Sequence, residues 1–324
     1  MTELAWVIGR GGLLGKNVEA AISTRADIWY PPEPIRWTTA GSGGLELRRF
    51  ARQFLNVAGE QPWSVLWCAG AGTIGSSVEV LRMELIALSE TLDALSETTH
   101  RGNGAFFFAS SAGGVYAGVG APPYDESSSV CAASAYGQFK LDAEALVADW
   151  CQRNDEPALV GRIANIYGPG QDLAKSQGLI SQICQSHLTG RPLPIYVSLD
   201  TLRDYLFAPD CARLIVEGLR QLRQEHWTTQ PMVITKILAS QRAITVGAVL
   251  GEMRRIFKSP LRIVIGKSSE SAYQVKDLSL RSQVWPELDR RTLTPFPVGV
   301  AYTAADLLRQ LQKGKLKFHV GHPG

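Results

Sequence analysis

A tyrosine and a lysine four residues apart, Tyr136 and Lys140, carry the strongest chemical signal in the chain. On a helix this spacing places both side chains on one face, one turn apart. The positive charge of the lysine stabilises a neighbouring phenolate, so such a tyrosine can exchange a proton with a carbonyl or alcohol oxygen near neutral pH. Ser111, 25 residues upstream, supplies a hydroxyl that could bind the same oxygen. These side chains suit the transfer of a hydride to or from a carbon that bears oxygen.

Hydride transfer needs a carrier, and the N-terminus has the pattern of a dinucleotide site. Residues 4–8 form an apolar run of strand length, and residues 16–22 have a helical pattern. Between them Gly9, Gly12 and Gly15 follow a G-x-x-G-x-x-G spacing. Such glycines let the backbone turn tightly and approach a pyrophosphate, while the helix N-terminus offers free N–H groups. The glycine pattern is weak alone, but its position after the first strand strengthens it.

Four motifs occur in a familiar order. Residues 106–116 end a strand-like run with Ser-Ser-Ala-Gly-Gly-Val-Tyr, and Tyr136 and Lys140 form Y-x-x-x-K. Residues 162–170 read R-I-A-N-I-Y-G-P-G, and residues 203–212 read R-D-Y-L-F-A-P-D-C-A. Over nearly all of its 324 residues the chain resembles the extended short-chain dehydrogenase/reductases of the NAD(P)-dependent epimerase/dehydratase family, which modify nucleotide sugars.

The resemblance implies roles for particular residues. Ser111, Tyr136 and Lys140 are expected to be catalytic, and Lys140 also to contact the nicotinamide ribose. The predicted cofactor-binding residues are Gly9, Arg10, Gly12, Leu13, Leu14, Gly15, Arg36, Ala69, Gly70 and Lys140. Ser110 is the alternative to Ser111, because the inserted Gly113-Gly114 pair leaves the register of the motif open.

The substrate is expected to contact Ser111, Asn165 and Arg203. The planar guanidinium of Arg203 suits a diphosphate, because its fork bonds two oxygens at once. A salt bridge with Asp204 or Asp210 is the structural alternative, and Asp210 itself is predicted to be structural. Glu126 matches a family glutamate that precedes the active helix, with capping of a loop as its alternative role.

Strand-like runs alternate with helical patterns in the first half of the chain, which favours parallel strands covered by helices on both faces. We therefore predict an α/β fold with a Rossmann-type doubly wound parallel sheet in residues 1–168, to which a segment at about 203–222 returns. The resemblance implies a smaller C-terminal α/β substrate-binding lobe made mainly from residues 169–324. It also implies a homodimer formed through two helices of each subunit.

The composition excludes several classes of function. A net charge of +3 with no run of five like charges argues against nucleic-acid binding, and no long apolar stretch suggests a signal peptide or a membrane span. Five scattered cysteines and five histidines show no metal-ligand spacing, so no metal is expected. The odd, unpaired cysteines favour a cytoplasmic location.

The choice of cofactor depends on the second strand, which residues 28–30 or residues 34–37 could end. If it ends at Arg36, a cation stands where an acid would bind the adenosine ribose. Arg10 could reach the same 2′-phosphate, so the two arginines favour NADP, with NAD possible. Glu33 would serve as the acid if the strand ends earlier.

The family contains dehydratases, epimerases and reductases. Sugar-nucleotide 4,6-dehydratases have an acidic pair directly after their Ser/Thr, whereas Ala112-Gly113 follow Ser111 here. We expect an NADPH-dependent reductase of a nucleotide-linked 4-keto-6-deoxyhexose. The alternatives are an NAD-dependent C4 epimerase of nucleotide sugars and a reductase of a non-sugar ketone.

Overall fold

The computed structural model describes residues 2–37, 42–70, 72, 75–97, 104–118, 120–172, 178–229, 233–266 and 275–314. The strands are β1 (Glu3–Ile8), β2 (Ala26–Ile28), β3 (Trp63–Trp67), β4 (Gly104–Ser111), β5 (Ala158–Ile163), β6 (Asn165–Tyr167), β7 (Leu193–Ile195), β8 (Leu202–Arg203), β9 (Tyr205–Phe207), β10 (Val233–Leu238), β11 (Ile244–Thr245), β12 (Ile263–Ile265) and β13 (Asp277–Leu278). The helices are α1 (Leu13–Ile22), α2 (Ser42–Ala58), α3 (Val78–Leu95), α4 (Ala112–Val115), α5 (Ala135–Asn154), α6 (Leu179–Thr189), α7 (Ala208–Thr229), α8 (Val246–Phe257), α9 (Pro286–Asp289) and α10 (Phe296–Gln312).

Six parallel strands form the central sheet, in the order β10-β5-β4-β3-β1-β2. Strand β4 illustrates why the residues from Ala105 to Ala109 are all apolar. Phe106 and Phe108 join the core under α2, α3 and α5, whereas Phe107 joins the core under α1 and α7. Since both faces are covered, side chains on both faces must be apolar. The predicted Rossmann-type, doubly wound sheet is confirmed.

The chain returns to this sheet from well beyond residue 168. Helix α7 packs against α1 and β5, with Leu214, Ile215 and Leu219 in the shared core. Strand β10 then pairs with β5 in parallel and occupies an edge of the sheet. The division of the chain at residue 168 stays a prediction, and β10 belongs to the sheet although it lies in the 169–324 range.

A separate core joins the C-terminal elements. Residues of α6, α8, α10 and β7 pack around Tyr167 and Phe207, which end β6 and β9. Helix α8 begins at a side-chain cap, because the Thr245 hydroxyl accepts from the Ala248 N–H at 3.1 Å. Along the described residues, no helix combines the length and the apolar character that crossing a bilayer requires.

Candidate active site

Ser111 and several of the residues predicted to bind the cofactor lie where strands of the central sheet end. Strand β4 ends at Ser111, β3 ends shortly before Ala69 and Gly70, and β1 ends just before Gly9. Because the strands are parallel, their carboxyl ends lie at one edge of the sheet, where open α/β sheets bind ligands. The carboxyl end of the sheet therefore brings the glycine turn and the serine motif together.

Ser111 and its neighbour Ser110 have different surroundings. The Ser111 hydroxyl caps α4 and accepts from the Gly114 N–H at 3.2 Å, and the residue is half-buried. Ser110 is 4% exposed and donates to Glu144 Oε1 at 2.5 Å. The Ser110 hydroxyl is thus held by a carboxylate inside the protein, which supports Ser111 as the ligand-facing member of the pair.

Tyr136 stands between two glycines. A Cβ on Gly114 would lie 3.3 Å from Tyr136 Cε1 and 3.4 Å from Ser111 Cβ, and one on Gly72 would lie 3.5 Å from Tyr136 Cδ2. Helix α5 approaches α4 closely, since a Cβ on Gly137 would lie 2.3 Å from the Gly114 carbonyl oxygen. Ser134 fixes the start of α5 by accepting from the Gly137 N–H at 3.1 Å. Tyr136 and Ser111 are therefore close neighbours on either side of Gly114.

Lys140 is buried beside Tyr136, with 4% of the residue exposed. Its ammonium donates to the Ala109 carbonyl at 3.0 Å. The Nζ atom also lies 5.0 Å from the ring centroid of Phe108, 5.1 Å from that of Phe139 and 5.7 Å from that of Tyr136. Rings at this range stabilise a cation. Among the described residues, the Lys140 ammonium has a single hydrogen-bond acceptor, the Ala109 carbonyl.

The glycine turn forms a cradle that fits a dinucleotide. Gly9 has a φ of +89°, and a Cβ there would lie 2.4 Å from the Ala69 nitrogen. A Cβ on Gly15 would lie 2.2 Å from the Gly9 carbonyl oxygen. Gly12 precedes α1 without a capping side chain, so the first N–H groups of the helix are open to an anion. The residues present thus suit a pyrophosphate held by backbone.

The second strand differs from one sequence prediction. Strand β2 ends at Ile28, and its last residue pairs with Ala5 of β1, so a strand that ends at Arg36 is wrong. Arg36 instead lies eight residues later, where Nε contacts Glu46 Oε1 at 2.6 Å and its N–H donates to Glu46 Oε2 at 2.9 Å. The position of Arg36 at the end of the second strand therefore no longer supports NADP. The end of β2 was hard to predict from the sequence, because the strand is short and Pro31-Pro32 come soon after it. The pairing of β2 with β1 determines where the strand ends.

Arg10 lies in the glycine turn but also has an acidic partner. Its Nε contacts Glu19 Oε2 at 2.6 Å, and its Nη2 contacts Glu19 Oε1 at 2.8 Å. This hydrogen-bonded carboxylate raises the pKa of the Arg10 guanidinium. Glu33 is exposed and pairs with Arg49 at 3.4 Å.

Two of the predicted substrate residues, Asn165 and Arg203, lie next to Asp204. Asn165 is exposed at the start of β6, and its side-chain amide donates to the Asp204 carbonyl at 3.3 Å. Arg203 is half-buried; its Nη1 donates to the Leu202 carbonyl at 2.7 Å, and burial lowers its pKa. The Asp204 carboxylate accepts from the N–H groups of Ser240 and Arg242, so it anchors the loop after β10.

Asp210 is structural, in line with its prediction. It is 1% exposed, pairs with Arg213, and accepts from the Thr294 N–H at 2.7 Å. Glu126 has a similar role, since it accepts from the Ile237 N–H at 2.8 Å and the Gln283 N–H at 2.8 Å. It ties the loop before α5 to β10 and to the C-terminal segment.

Sequence patterns did not predict a buried network of hydrogen bonds among Arg162, Glu144 and Tyr116. Arg162 donates to both oxygens of Glu144, at 3.2 and 2.8 Å, and to the Tyr116 hydroxyl at 2.8 Å. Burial raises the pKa of Tyr116. This network joins α5, which carries Tyr136, to β4 and β5. The spacing of Glu144, one further helical turn after Lys140, could have indicated that this carboxylate belongs to the same region.

Known proteins resemble this chain in sequence and in fold. The model of the NAD dependent epimerase/dehydratase family matches residues 45–228. A dTDP-glucose 4,6-dehydratase of Salmonella typhimurium is 33% identical over 94 residues, which are 29% of this chain and 25% of that protein. A dTDP-L-rhamnose 4-epimerase of Burkholderia thailandensis is 31% identical over 87 residues, 26% of this chain and 24% of that protein. The chain thus aligns with only about a quarter of the length of these relatives.

Solved structures match over almost the whole chain. A UDP-glucose 4-epimerase from Thermotoga maritima, solved with UDP-glucose, superposes with a TM-score of 0.77 at 17% identity and covers 96% of this chain and 100% of its own. A UDP-glucose 4-epimerase from Thermus thermophilus, solved with NAD, has a TM-score of 0.74 at 17% identity and covers 95% of this chain and 99% of its own. At this identity the likeness concerns the fold. The family model spans more than half of the chain and identifies the protein as a member of the NAD dependent epimerase/dehydratase family.

Proposed function

We propose that the chain exchanges a hydride between NAD(P) and C4 of a nucleotide-linked hexose, with Tyr136 as the acid/base. The observation that carries the proposal is the grouping of Ser111, Tyr136 and Lys140 at the sheet edge that also contains the glycine turn. The turn, Gly9 to Gly15 with Ala69 and Gly70, would hold the cofactor, which supplies or accepts the hydride.

The side chains of this chain would handle the oxygen and its proton. Ser111 binds the carbonyl oxygen and Tyr136 donates a proton to the emerging alkoxide. Lys140 favours the resulting phenolate by its charge. The donors that its ammonium does not give to Ala109 would bind the nicotinamide ribose. Asn165 and Arg203 would hold the sugar nucleotide at the opening toward the C-terminal lobe.

Net reduction of a 4-keto-6-deoxyhexose by NADPH is the first candidate. Ala112-Gly113 after Ser111 offer no acid for dehydration, and Arg10 stands in the turn near the expected adenosine ribose. Its ion pair with Glu19 is half-exposed on the arginine side, and exposed pairs are held weakly.

NAD-dependent C4 epimerisation is the second candidate. One observation favours it: both arginines expected to bind a 2′-phosphate, Arg10 and Arg36, have glutamate partners. An epimerase returns its hydride to the substrate and consumes no net cofactor.

The decisive experiment incubates the protein with NADPH or NADH and a panel of nucleotide-linked 4-keto sugars while near-ultraviolet absorbance is followed. Stoichiometric loss of the reduced cofactor supports the reductase. A second assay incubates the protein with NAD and nucleotide-linked hexoses that carry a C4 hydroxyl. Interconversion of their 4-epimers without net reduction of the cofactor, together with NAD released on denaturation, supports the epimerase. Conversion of no sugar nucleotide in either assay would refute the proposal.

A reductase of non-sugar ketones would have no need of a cation for a diphosphate. If the substrate is a sugar nucleotide, Arg203→Ala should raise its KM, because the diphosphate loses a cation. The same variant should leave kcat for a small ketone unchanged. An unchanged KM for the sugar nucleotide would favour the non-sugar substrate.

A homodimer is proposed through helices of each subunit. Val78, Val80 and Ile86 of α3 are exposed apolar residues, as an interface helix requires. Light scattering after size-exclusion chromatography tests this, and a monomeric mass at micromolar concentration would contradict it.

A further inference from the structure

The two arginines that could serve a 2′-phosphate differ in where they lie. Arg36 lies beyond β2 and is paired with Glu46 of α2. Arg10 belongs to the glycine turn itself, directly after Gly9. Its guanidinium meets the Glu19 carboxylate with two hydrogen bonds, of 2.6 and 2.8 Å. Two parallel bonds of this kind occupy the same fork of the guanidinium that binds a phosphate.

Tyr30 completes the arrangement. It lies two residues after the end of β2, and the Arg10 Cζ lies 4.5 Å above its ring centroid. Its hydroxyl lies 3.4 Å from Glu19 Oε1. Arg10, Glu19 and Tyr30, here called the ribose-side triad, thus join the glycine turn, the first helix and the end of the second strand. In dinucleotide-binding sheets this corner receives the adenosine ribose.

The acid of the ribose-side triad, Glu19, comes from helix α1 and not from the residues that follow β2. The residues that directly follow β2 are Trp29, Tyr30, Pro31 and Pro32. Glu33 comes next, but its carboxylate is exposed and pairs with Arg49 of α2. Glu19 is supplied by α1, and its side chain is 19% exposed against 53% for Arg10. The Glu19 carboxylate is therefore the more buried partner of the pair.

We propose that Glu19 sets the preference of this chain between NAD and NADP by occupying the Arg10 fork. The inference rests on the proposed function, because it assumes a dinucleotide in the glycine turn. A 2′-phosphate brings about two negative charges to the triad and must displace the carboxylate to gain Arg10. The displaced Glu19 then faces the phosphate, and like charges at short range repel. NAD has a hydroxyl at that position and leaves the ion pair intact.

The replacement Glu19→Gln tests this, because it removes the charge and keeps the shape. Fluorescence titration of the full chain with NADPH and with NADH gives the two Kd values. We expect Kd for NADPH to fall roughly tenfold and Kd for NADH to change less than about twofold. The matched control is Glu252→Gln in α8, which removes the carboxylate of another two-bond Arg–Glu pair, with Arg255, and should leave the ratio of the two Kd values unchanged.

The double variant separates this mechanism from a general effect of charge. In an Arg10→Ala background, Glu19→Gln should no longer change the ratio, because the two residues act through one contact. An unchanged ratio in Glu19→Gln alone, or an equal shift with and without Arg10, would overturn the inference. Cofactor binding with an unchanged ratio leaves the proposed function standing, whereas binding of neither cofactor would sink both.

Discussion

Two buried lysines show how the site differs from the rest of the protein. Lys236, on the edge strand β10, is fully buried and donates to Ser282 Oγ at 2.7 Å, to the Val284 carbonyl at 2.6 Å and to Asp289 Oδ2 at 2.8 Å. Lys140 is buried almost as fully, yet among the described residues its ammonium has only the Ala109 carbonyl as a hydrogen-bond acceptor. An ammonium has three donors. The first lysine is saturated by the protein, whereas two donors of the second have no hydrogen-bond acceptor among the described residues.

The surroundings explain why both charges are tolerated. Lys236 has a counterion, and Ser282 passes a further hydrogen bond to Glu126 at 2.6 Å. Burial raises the pKa of Asp289, and the Lys236 charge opposes that effect. Lys140 is surrounded by aromatic rings, which stabilise the cation without using its donors. We infer that the first arrangement serves stability and the second serves ligand binding.

The largest expected effect separates turnover from stability at the site. Tyr136→Phe should lower kcat by roughly 10²- to 10⁴-fold, because the proton donor is lost. The free energy of unfolding should change by less than about 1 kcal/mol, because only a hydroxyl is removed. Steady-state kinetics and urea unfolding measure the two. Undiminished turnover would refute the assigned role of Tyr136.

The opposite pattern is expected at the saturated lysine. Lys236→Met should lower the free energy of unfolding by about 3–5 kcal/mol, because Asp289 loses its buried counterion. Lys140→Met, the matched variant, should cost about 1 kcal/mol of stability, since one carbonyl loses its donor, while activity is lost. If Lys236→Met does not fold, Asp289→Asn provides a milder version. Equal stability losses at the two lysines would erase the distinction between them.

The adjacent serines allow a sharper comparison within one strand. Ser111→Ala should lower kcat roughly 10²-fold, because a donor to the substrate oxygen is removed. Ser110→Ala should leave kcat within about twofold and cost about 1 kcal/mol of stability, because its partner Glu144 keeps both bonds to Arg162. A larger activity loss at Ser110 would reverse the assignment.

The smallest effects come from two helix caps of the same kind. Ser134→Ala at α5 and Thr245→Ala at α8 should each cost about 1 kcal/mol, measured by urea unfolding. Ser134 begins the helix that carries Tyr136, so only its replacement should also lower kcat. A reduced kcat in Thr245→Ala would show that the C-terminal lobe positions the proton donor too.

Sequence patterns predicted the elements whose signals are local. The apolar run of β4 and the capped start of α8 follow from neighbouring residues alone. The end of strand β2 was not predicted, because a strand of three residues gives no clear pattern and its end depends on pairing with β1. The same limit applied to the charges of Arg10 and Arg36. Their types suggested a phosphate site, but their glutamate partners depend on how α1 and α2 lie against the sheet.

Strand β10 has a consequence for how the protein is made. The sheet is completed at β5 by residues 233–238, which a ribosome adds long after the glycine turn and the catalytic helix have emerged. Until then β5 is an unprotected edge, and unpaired edges favour contact with other chains. The nascent N-terminal half therefore cannot complete its sheet until β10 has been synthesised. A stop codon placed at residue 229 would yield a polypeptide that contains Ser111, Tyr136 and Lys140 and still depends on chaperones to remain dispersed.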